Sequence, residues 1–443
     1  MNIQLSDHFT YGRLLRFTLP TIVMMIFTSI YGVVDGIFVS NFAGKTAFAA
    51  INLIMPYLMV FGTLGFMIGS GGTALISMTL GMGNGKKANE IFSMLTYVAV
   101  LGAVILTVGS IAFLRPAAIA LGATGRILED SVTYGTIVQL ALPAYVLQYA
   151  FQSFCITAEK PNLSLTMMVI AGVCNIVLDA LFVAVFRWGL VGAAVATAIA
   201  QYLGAVVPFI YFLRPNDSLL RLGKSRFDGK ALLRTCTNGA SELMSNISMS
   251  LVGMLYNLQL IRYAGEDGIA AYGVIMYVNF IFMSVFIGFV IGGAPIIGYN
   301  YGAENHSELQ NIFRKSLILI GIFSTAMTAA AVLMARPLAK VFVGYDPDLM
   351  AMTTRGFIIY SLSFLLSGFN FFGSSLFTAL NNGLVSAVIS FVRTVICQIA
   401  AVMLLPLVFG LDGIWWSIVA AESVALVLTV FCFVKFKDRY HYM

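Results

Sequence analysis

The sequence predicts an all-α polytopic membrane protein: about twelve transmembrane helices in two six-helix bundles related by an internal parallel repeat. Three observations predict it. Of the 443 residues, 60% are hydrophobic and 10% charged, with mean hydropathy +0.93; soluble domains hold roughly 45–50% apolar and about 25% charged residues. Apolar runs of roughly twenty residues, the length that crosses a bilayer as a helix, recur along the whole chain. The two halves of the chain align at an offset of 221 residues. The alternating strand pattern of a transmembrane barrel is absent.

Taken in order, the runs place spans at 13–40, 47–80, 93–114, 131–157, 163–186 and 189–213, then at 234–261, 268–301, 314–335, 352–379, 384–409 and 412–436. The longest polar connection, RPNDSLLRLGKSRFDGK (214–230), falls mid-chain. It divides the chain into an N-lobe (1–213), a cytoplasmic linker (214–233) and a C-lobe (234–443). The first run is too long for the apolar stretch of a cleavable signal peptide, and no small-residue cleavage site separates it from the second.

The net charge of +6 reads as topology and not as a nucleic-acid surface, because the basic residues sit in loops. Sixteen Lys and Arg, among them Arg13, Lys86, Lys160, Arg221 and Lys437, fall on one set of loops and ends. Eight fall on the other, and Arg393 alone lies inside a span. The positive-inside rule then places both termini and the central loop in the cytoplasm, in a multi-pass protein of the cell's inner (plasma) membrane. Cys155, Cys174, Cys236, Cys397 and Cys432 lie in apolar segments without CxxC spacing and read as free thiols.

The repeat pairs Gly32 with Gly253, Ala43-Gly44 with Ala264-Gly265, Gly71-Gly72 with Gly292-Gly293, Gly81 with Gly302, Arg115-Pro116 with Arg336-Pro337, and Thr157-Ala158 with Thr378-Ala379. Each half has six spans, an even number, so both halves enter the membrane from the same side. An axis along the membrane normal should relate them, as in parallel-repeat transporters, with a cleft between bundles that rock to give alternating access.

Ionisable groups inside spans cost about 2.5–3.5 kcal/mol on insertion scales and are functional candidates by default. Asp35, Asp179, Glu242 and Glu422 qualify, with Arg393 the one base. In CNIVLDALF, Asn175 and Asp179 are four apart and share a helix face. Tyr31 lies one turn before Asp35, Gln148 and Gln152 are four apart in the fourth span, and Thr197 sits in the sixth. Turned inward, these faces would gather two carboxylates, amides and hydroxyls in one N-lobe pocket. Such a pair can take up a proton, because two close carboxylates in a low dielectric resist double ionisation. It can alternatively ligate a small cation through oxygen, so Na+ at Asp35 and Asp179 stays open beside H+. At offset 221 the polar set is not repeated: Asp35 falls opposite Tyr256, Asn175 opposite Ile396, Asp179 opposite Ala400 and Thr197 opposite Ile418. Residues needed only to build a bundle should recur in both halves, so the asymmetry points to function. Glu242 has two readings, facing the cleft or lying at interface depth. Glu422 matches Gln201 and reads as structural.

Other chemistries lack their residues. GMGNGKK (81–87) fails GxxxxGK[ST] and has no preceding strand, which excludes a phosphate loop. His8, His306 and His441 lie in ends and loops, and no GxSxG is present, so neither a metalloprotease helix nor a serine hydrolase fits. The chain reads as no enzyme, and no soluble output domain supports a sensor. The 22 Met and 35 Phe suit a surface that accepts many apolar shapes, and they equally fill ordinary membrane helices.

Asp35 in the first span, Asn175-x-x-x-Asp179 in the fifth and Thr197 in the sixth resemble the multidrug and toxic compound extrusion (MATE) family. The likeness covers essentially the whole chain and is nearest the prokaryotic branch that keeps its acidic cation site in the N-lobe. Pro20 matches the first-span proline at which that family's helix bends. The resemblance implies a secondary active multidrug antiporter that exchanges H+ or Na+ for organic, often cationic, compounds. It implies a cation site of Asp35, Asn175, Asp179 and Thr197, with Tyr31, Gln148 and Gln152 as neighbours. It implies no cofactor beyond the coupling ion, and small-molecule drugs and membrane lipid as partners of a monomer. It does not extend to a C-lobe cation site: GFIIYSLSFLLSGFNFFG, in the tenth span, holds no acid, and Glu242 sits early on its span. The alternative is a lipid or lipid-linked oligosaccharide flippase of the same superfamily, which would call for a strongly basic cleft.

Overall fold

In hydrocarbon every backbone N–H and C=O must find its partner within the segment, so each apolar run closes into a helix. A computed structural model describes residues 3–443. The first half holds α1 (Tyr11–Phe38), α2 (Lys45–Gly81), α3 (Gly85–Ala120), α4 (Gly125–Leu140), α5 (Leu142–Thr157), α6 (Pro161–Asp179) and α7 (Gly189–Leu213). The second holds α8 (Gly229–Gly302), α9 (His306–Val343), α10 (Pro347–Ser361), α11 (Phe364–Ala379), α12 (Gly383–Phe391), α13 (Gln398–Phe409) and α14 (Leu411–Tyr440). Three π-helical turns extend or join them, at Val39–Ala43, Ala180–Val185 and Val392–Cys397.

Among the described residues, nine helical stretches are long and apolar enough to cross a membrane. One of them, the 74-residue α8, makes two crossings: Gly265 (φ 64°, ψ −148°) breaks it into arms 229–264 and 266–302. The pair α10–α11, bent by 45°, is a further broken crossing. The pair α4–α5 holds the same place in the first half, which brings the crossings among the described residues to twelve. Helix α1 runs unbroken through Pro20. Helices α3 and α9 begin earlier than the apolar runs at 93 and 314, because asparagine caps set their starts. Asn84 Oδ1 accepts from Lys87 N at 3.1 Å, and Asn305 Oδ1 from Glu308 N at 3.2 Å. The non-helical link between the halves is 214–228, shorter than the polar run, since Asp228 caps α8 through the amides of Lys230 and Ala231, each at 3.1 Å.

The repeat is visible in the backbone, and its register steps by one residue and back. The offset of 221 holds for the left-handed turns at Gly44 and Gly265, at Gly83 and Glu304, and at Gly189 and Gly410. Between them it becomes 222. Helices α4 and α10 follow Thr124 and Asp346, α5 and α11 follow Ala141 and Ser363, and the left-handed residues are Glu159 and Asn381. Thr107 Oγ1 donates to the Gln139 carbonyl at 3.3 Å, and its counterpart Thr328 Oγ1 to the Ser361 carbonyl at 3.5 Å. Thr157 therefore pairs with Ala379 instead of Thr378, and Gln148 with Asn370. The π-helical turns lie at different heights in α6 and α12–α13, so Asp179 and Asn175 do not keep their 221 partners either.

Both termini lie at one end of the molecule, where Asn300 Nδ2 reaches the Leu5 carbonyl (3.4 Å) and Gln310 Nε2 the Met443 carbonyl (3.1 Å). We call this the terminal end. Here the bundles meet backbone to backbone. A Cβ on Gly81 of α2 would lie 2.0 Å from the Tyr299 carbonyl oxygen of α8, and one on Gly302 would lie 2.0 Å from that of Met78. Gly71 and Gly239 form a second crossing of the same kind, against the carbonyls of Thr235 and Met67. Small residues are what allow membrane helices to approach this closely. Asn381 adds a polar bridge, donating to the Ala74 carbonyl at 2.9 Å. The segment before α1 crosses over to the second bundle. Leu5 and Phe9 are buried against Ile296, Ile312 and Phe313, and Glu308 accepts from the Phe9 amide at 2.8 Å.

Candidate cation site

Asp35 lies four residues before the first π-helical turn, and Asp179 is the residue before the second. A π turn inserts one residue and rotates the helix face, and such turns concentrate at functional sites. Here they aim both carboxylates into the first bundle, in its half away from the terminal end. The two carboxyls face one another. Asp179 is fully buried and Asp35 half-buried. Asp35 Oδ1 and both oxygens of Asp179 are buried with no hydrogen-bond partner among the described residues. Among the described residues no basic side chain forms an ion pair with either. A buried carboxylate left so is strongly unfavourable, and a proton or a cation supplies what the protein withholds.

Part of the expected set lies around the pair. Asn175 is buried one turn before Asp179. Tyr31 packs on Gly172 of α6, where a Cβ would lie 3.5 Å from its ring, within electrostatic reach of both acids. Thr197 of α7 joins through a residue the sequence reading missed, Tyr134. Tyr134 comes from α4, is 2% exposed, faces Thr197 and stands within reach of Asp35 and Asp179. Thr197 and Tyr134 line a cavity of about 70 Å³ with Gln139, Tyr145 and Gln201, closed on its apolar side by Met55, Leu58 and Met59. Gln139 Nε2 and Gln201 Oε1 are buried there without partners among the described residues. Tyr145 and Tyr149 share with Gln148 and Gln152 the spacing 145, 148, 149, 152, one face of α5; that stripe was the available signal.

Gln148 and Gln152 make no bond to the acids. Gln148 Nε2 lies 3.5 Å from Met168 Sδ, with its amide over Gly204 of α7. Gln152 Nε2 lies 3.3 Å from Met25 Sδ. Glu242 stands apart, in a chamber of about 50 Å³ between the bundles at the terminal end, among Ser70, Thr73, Ser153, Ser375 and Thr378. It lines the seam between the bundles. In the second bundle Arg393 donates through Nε to both oxygens of Glu422, at 2.8 and 3.1 Å. Glu422 and Arg393 are each other's partners, a pairing that the sequence left open. No group of three or more His, Cys, Asp or Glu gathers as a metal site among the described residues. An ion held by Asp35 and Asp179 would draw on carboxylate, amide and hydroxyl oxygen.

Two pseudo-symmetric bundles, closed on each other at the terminal end and holding unpaired buried acids in the half away from it, define a membrane transporter of the two-lobe type. The chain belongs to the MatE family, whose model matches it twice, over residues 20–181 and 243–404. The multidrug export protein MepA of Staphylococcus haemolyticus is 26% identical over 431 residues, covering 97% of this chain and 94% of that protein. MepA of Staphylococcus saprophyticus is also 26% identical, covering 96% and 94%. The structure of a multidrug resistance MATE family transporter of the MOP superfamily in an outward-facing conformation superposes with a TM-score of 0.93 at 20% identity. It covers 100% of this chain and 99% of that one, and shares the fold. The family is one of transporters and not of enzymes.

Proposed function

We propose that the protein is a secondary active exporter that exchanges H+ or Na+ for organic, often cationic, compounds across the plasma membrane. The observation that carries the reading is the Asp35–Asp179 pair, buried together with three oxygens unpartnered. The multidrug export named for its staphylococcal relatives supports the substrate class. Asp35, Asp179, Asn175 and Thr197 hold the coupling ion in this account, with Tyr31 and Tyr134 as the neighbouring hydroxyls. Ion entry removes the cost of two facing carboxylates and so changes which arrangement of the bundles is lowest in energy. Differential affinity for the ion in the two arrangements is the whole of the driving force.

The sidedness follows from the basic loops: the terminal end is cytoplasmic. The glycine crossings then close the cytoplasmic side and leave the acids toward the exterior, where an incoming ion would load. The lobes that rock are 1–213 and 234–443, and each works within a single monomer. The flippase alternative asks for a basic cleft, and Arg393, the one base within a span, is neutralised by Glu422. Dye efflux from proteoliposomes, with pH and Na+ gradients imposed separately, tests the reading. Efflux driven by one gradient identifies the ion, and efflux indifferent to both would overturn ion-coupled export.

A further inference from the structure

The second bundle encloses a chamber of about 130 Å³ that the N-lobe site does not use. An apolar cavity of roughly this size holds one benzene ring. One wall is aromatic and thioether: Tyr256 stacks on Tyr272 (centroids 5.1 Å apart, planes 3° apart), with Phe371 and Met283 beside them. The other is polar and is built on the third π-helical turn, which carries Arg393. The Arg393 guanidinium lies 4.0 Å over the Phe371 ring and spends only Nε on Glu422. Glu422 Oε2 is further fixed by Asn370 Nδ2 at 2.7 Å, and Asn370 Oδ1 by Thr429 at 2.9 Å. The carboxylate is thus anchored from behind, and the outer edge of the guanidinium, Nη1 and Nη2, has no hydrogen-bond acceptor among the described residues.

Three further polar atoms on the chamber wall are buried without partners among the described residues: Tyr256 OH, Ser363 Oγ and Asn279 Oδ1. Buried polar groups are nearly always satisfied, and a cluster of exceptions marks a missing partner. The free edge of an arginine presents parallel N–H donors that match an oxyanion, and two hydroxyls can add to them. We propose that this chamber is a second ligand site, for a compound that carries a carboxylate or similar oxyanion on an aromatic or apolar body. The oxyanion sits on Arg393 Nη1 and Nη2 with the Tyr256 and Ser363 hydroxyls, and the body lies against the Tyr256–Tyr272 stack. A free solute and the phosphate of a lipid headgroup share this chemistry.

The test uses the full chain in proteoliposomes and radiolabelled benzoate, with benzyl alcohol as the uncharged probe of the same shape. Benzoate is expected to bind saturably and about tenfold or more tighter than benzyl alcohol. Tyr256→Phe, which removes only an unpartnered hydroxyl, should weaken benzoate about threefold to tenfold and leave benzyl alcohol unchanged. The paired variant Arg393→Met/Glu422→Gln removes both charges without stranding either and should abolish the preference. Equal binding of the two probes, or a preference that survives the paired variant, would overturn the proposal. Benzoate displaced in phosphatidylglycerol vesicles but not in phosphatidylcholine assigns the site to a headgroup. Equal binding in both assigns it to a free solute.

Discussion

Replacing Gly81 by alanine should open the terminal end. The new Cβ would stand 2.0 Å from the Tyr299 carbonyl oxygen and 2.8 Å from the Ala303 amide nitrogen, both backbone atoms that no rotamer change can move. A carbon and a carbonyl oxygen rest at about 3.3 Å or more, so α2 and the second arm of α8 must part by about 1.3 Å. Overpacking of this kind costs about 1–3 kcal/mol. The cost falls on the sealed arrangement, where the crossing lies. It shifts the balance between arrangements by about 5- to 150-fold. The readout is a single cysteine at Ser153, which lines the seam chamber beside Glu242, in a background with the five native cysteines replaced. Labelling by an impermeant maleimide from the terminal side should rise in Gly81→Ala and in Gly302→Ala. Gly109→Ala, where a Cβ meets nothing within 4 Å, should not change it. Unaltered labelling in both crossing variants would refute the idea that this glycine contact is the seal.

Arg393→Met alone should destabilise the protein by about 3–5 kcal/mol, because it strands Glu422 in the bundle core, and Arg393→Met/Glu422→Gln should recover most of that in thermal unfolding. Tyr134→Phe should keep the fold and weaken ion-driven efflux by about tenfold or less, with transport down a substrate gradient preserved. Asp228 is held below the ordinary carboxyl range by the Ala231 amide and the Lys87 ammonium. Its contribution is therefore complete above the unfolded value of about 4 and fades as pH falls through the lower folded one. Asp228→Ala should lower the melting temperature at pH 7, and the gap to wild type should close in acid.

Much of this architecture was legible because the bilayer allows so few solutions. Apolar length gave the crossings, and Gly81 with Gly302 gave the repeat. Asn175 and Asp179, four apart, gave one wall of the candidate site. What stayed hidden needs atoms far apart in the chain. Tyr134 reaches the acids from another helix and sits in a segment with no polar periodicity to mark it. Arg393 and Glu422 are 29 residues apart, and only the packing of α14 on the π-helical turn joins them. Helix propensity does not encode where such a turn will fall, yet the three of them aim Asp35, Asp179 and Arg393. The step from 221 to 222 was invisible for a related reason. In so biased a composition Thr-Ala meets Thr-Ala at 221, while the left-handed residues Glu159 and Asn381, which fix the true register, look nothing alike.

The central claim is that Asp35 and Asp179 carry the coupling ion, and Asp35→Asn tests it most directly. The variant keeps the shape and removes one charge of the facing pair. In proteoliposomes it should bind dye as wild type does and exchange it between compartments without a gradient, while uphill efflux driven by H+ or Na+ falls to background. Uphill efflux at the wild-type rate in that variant would contradict the account.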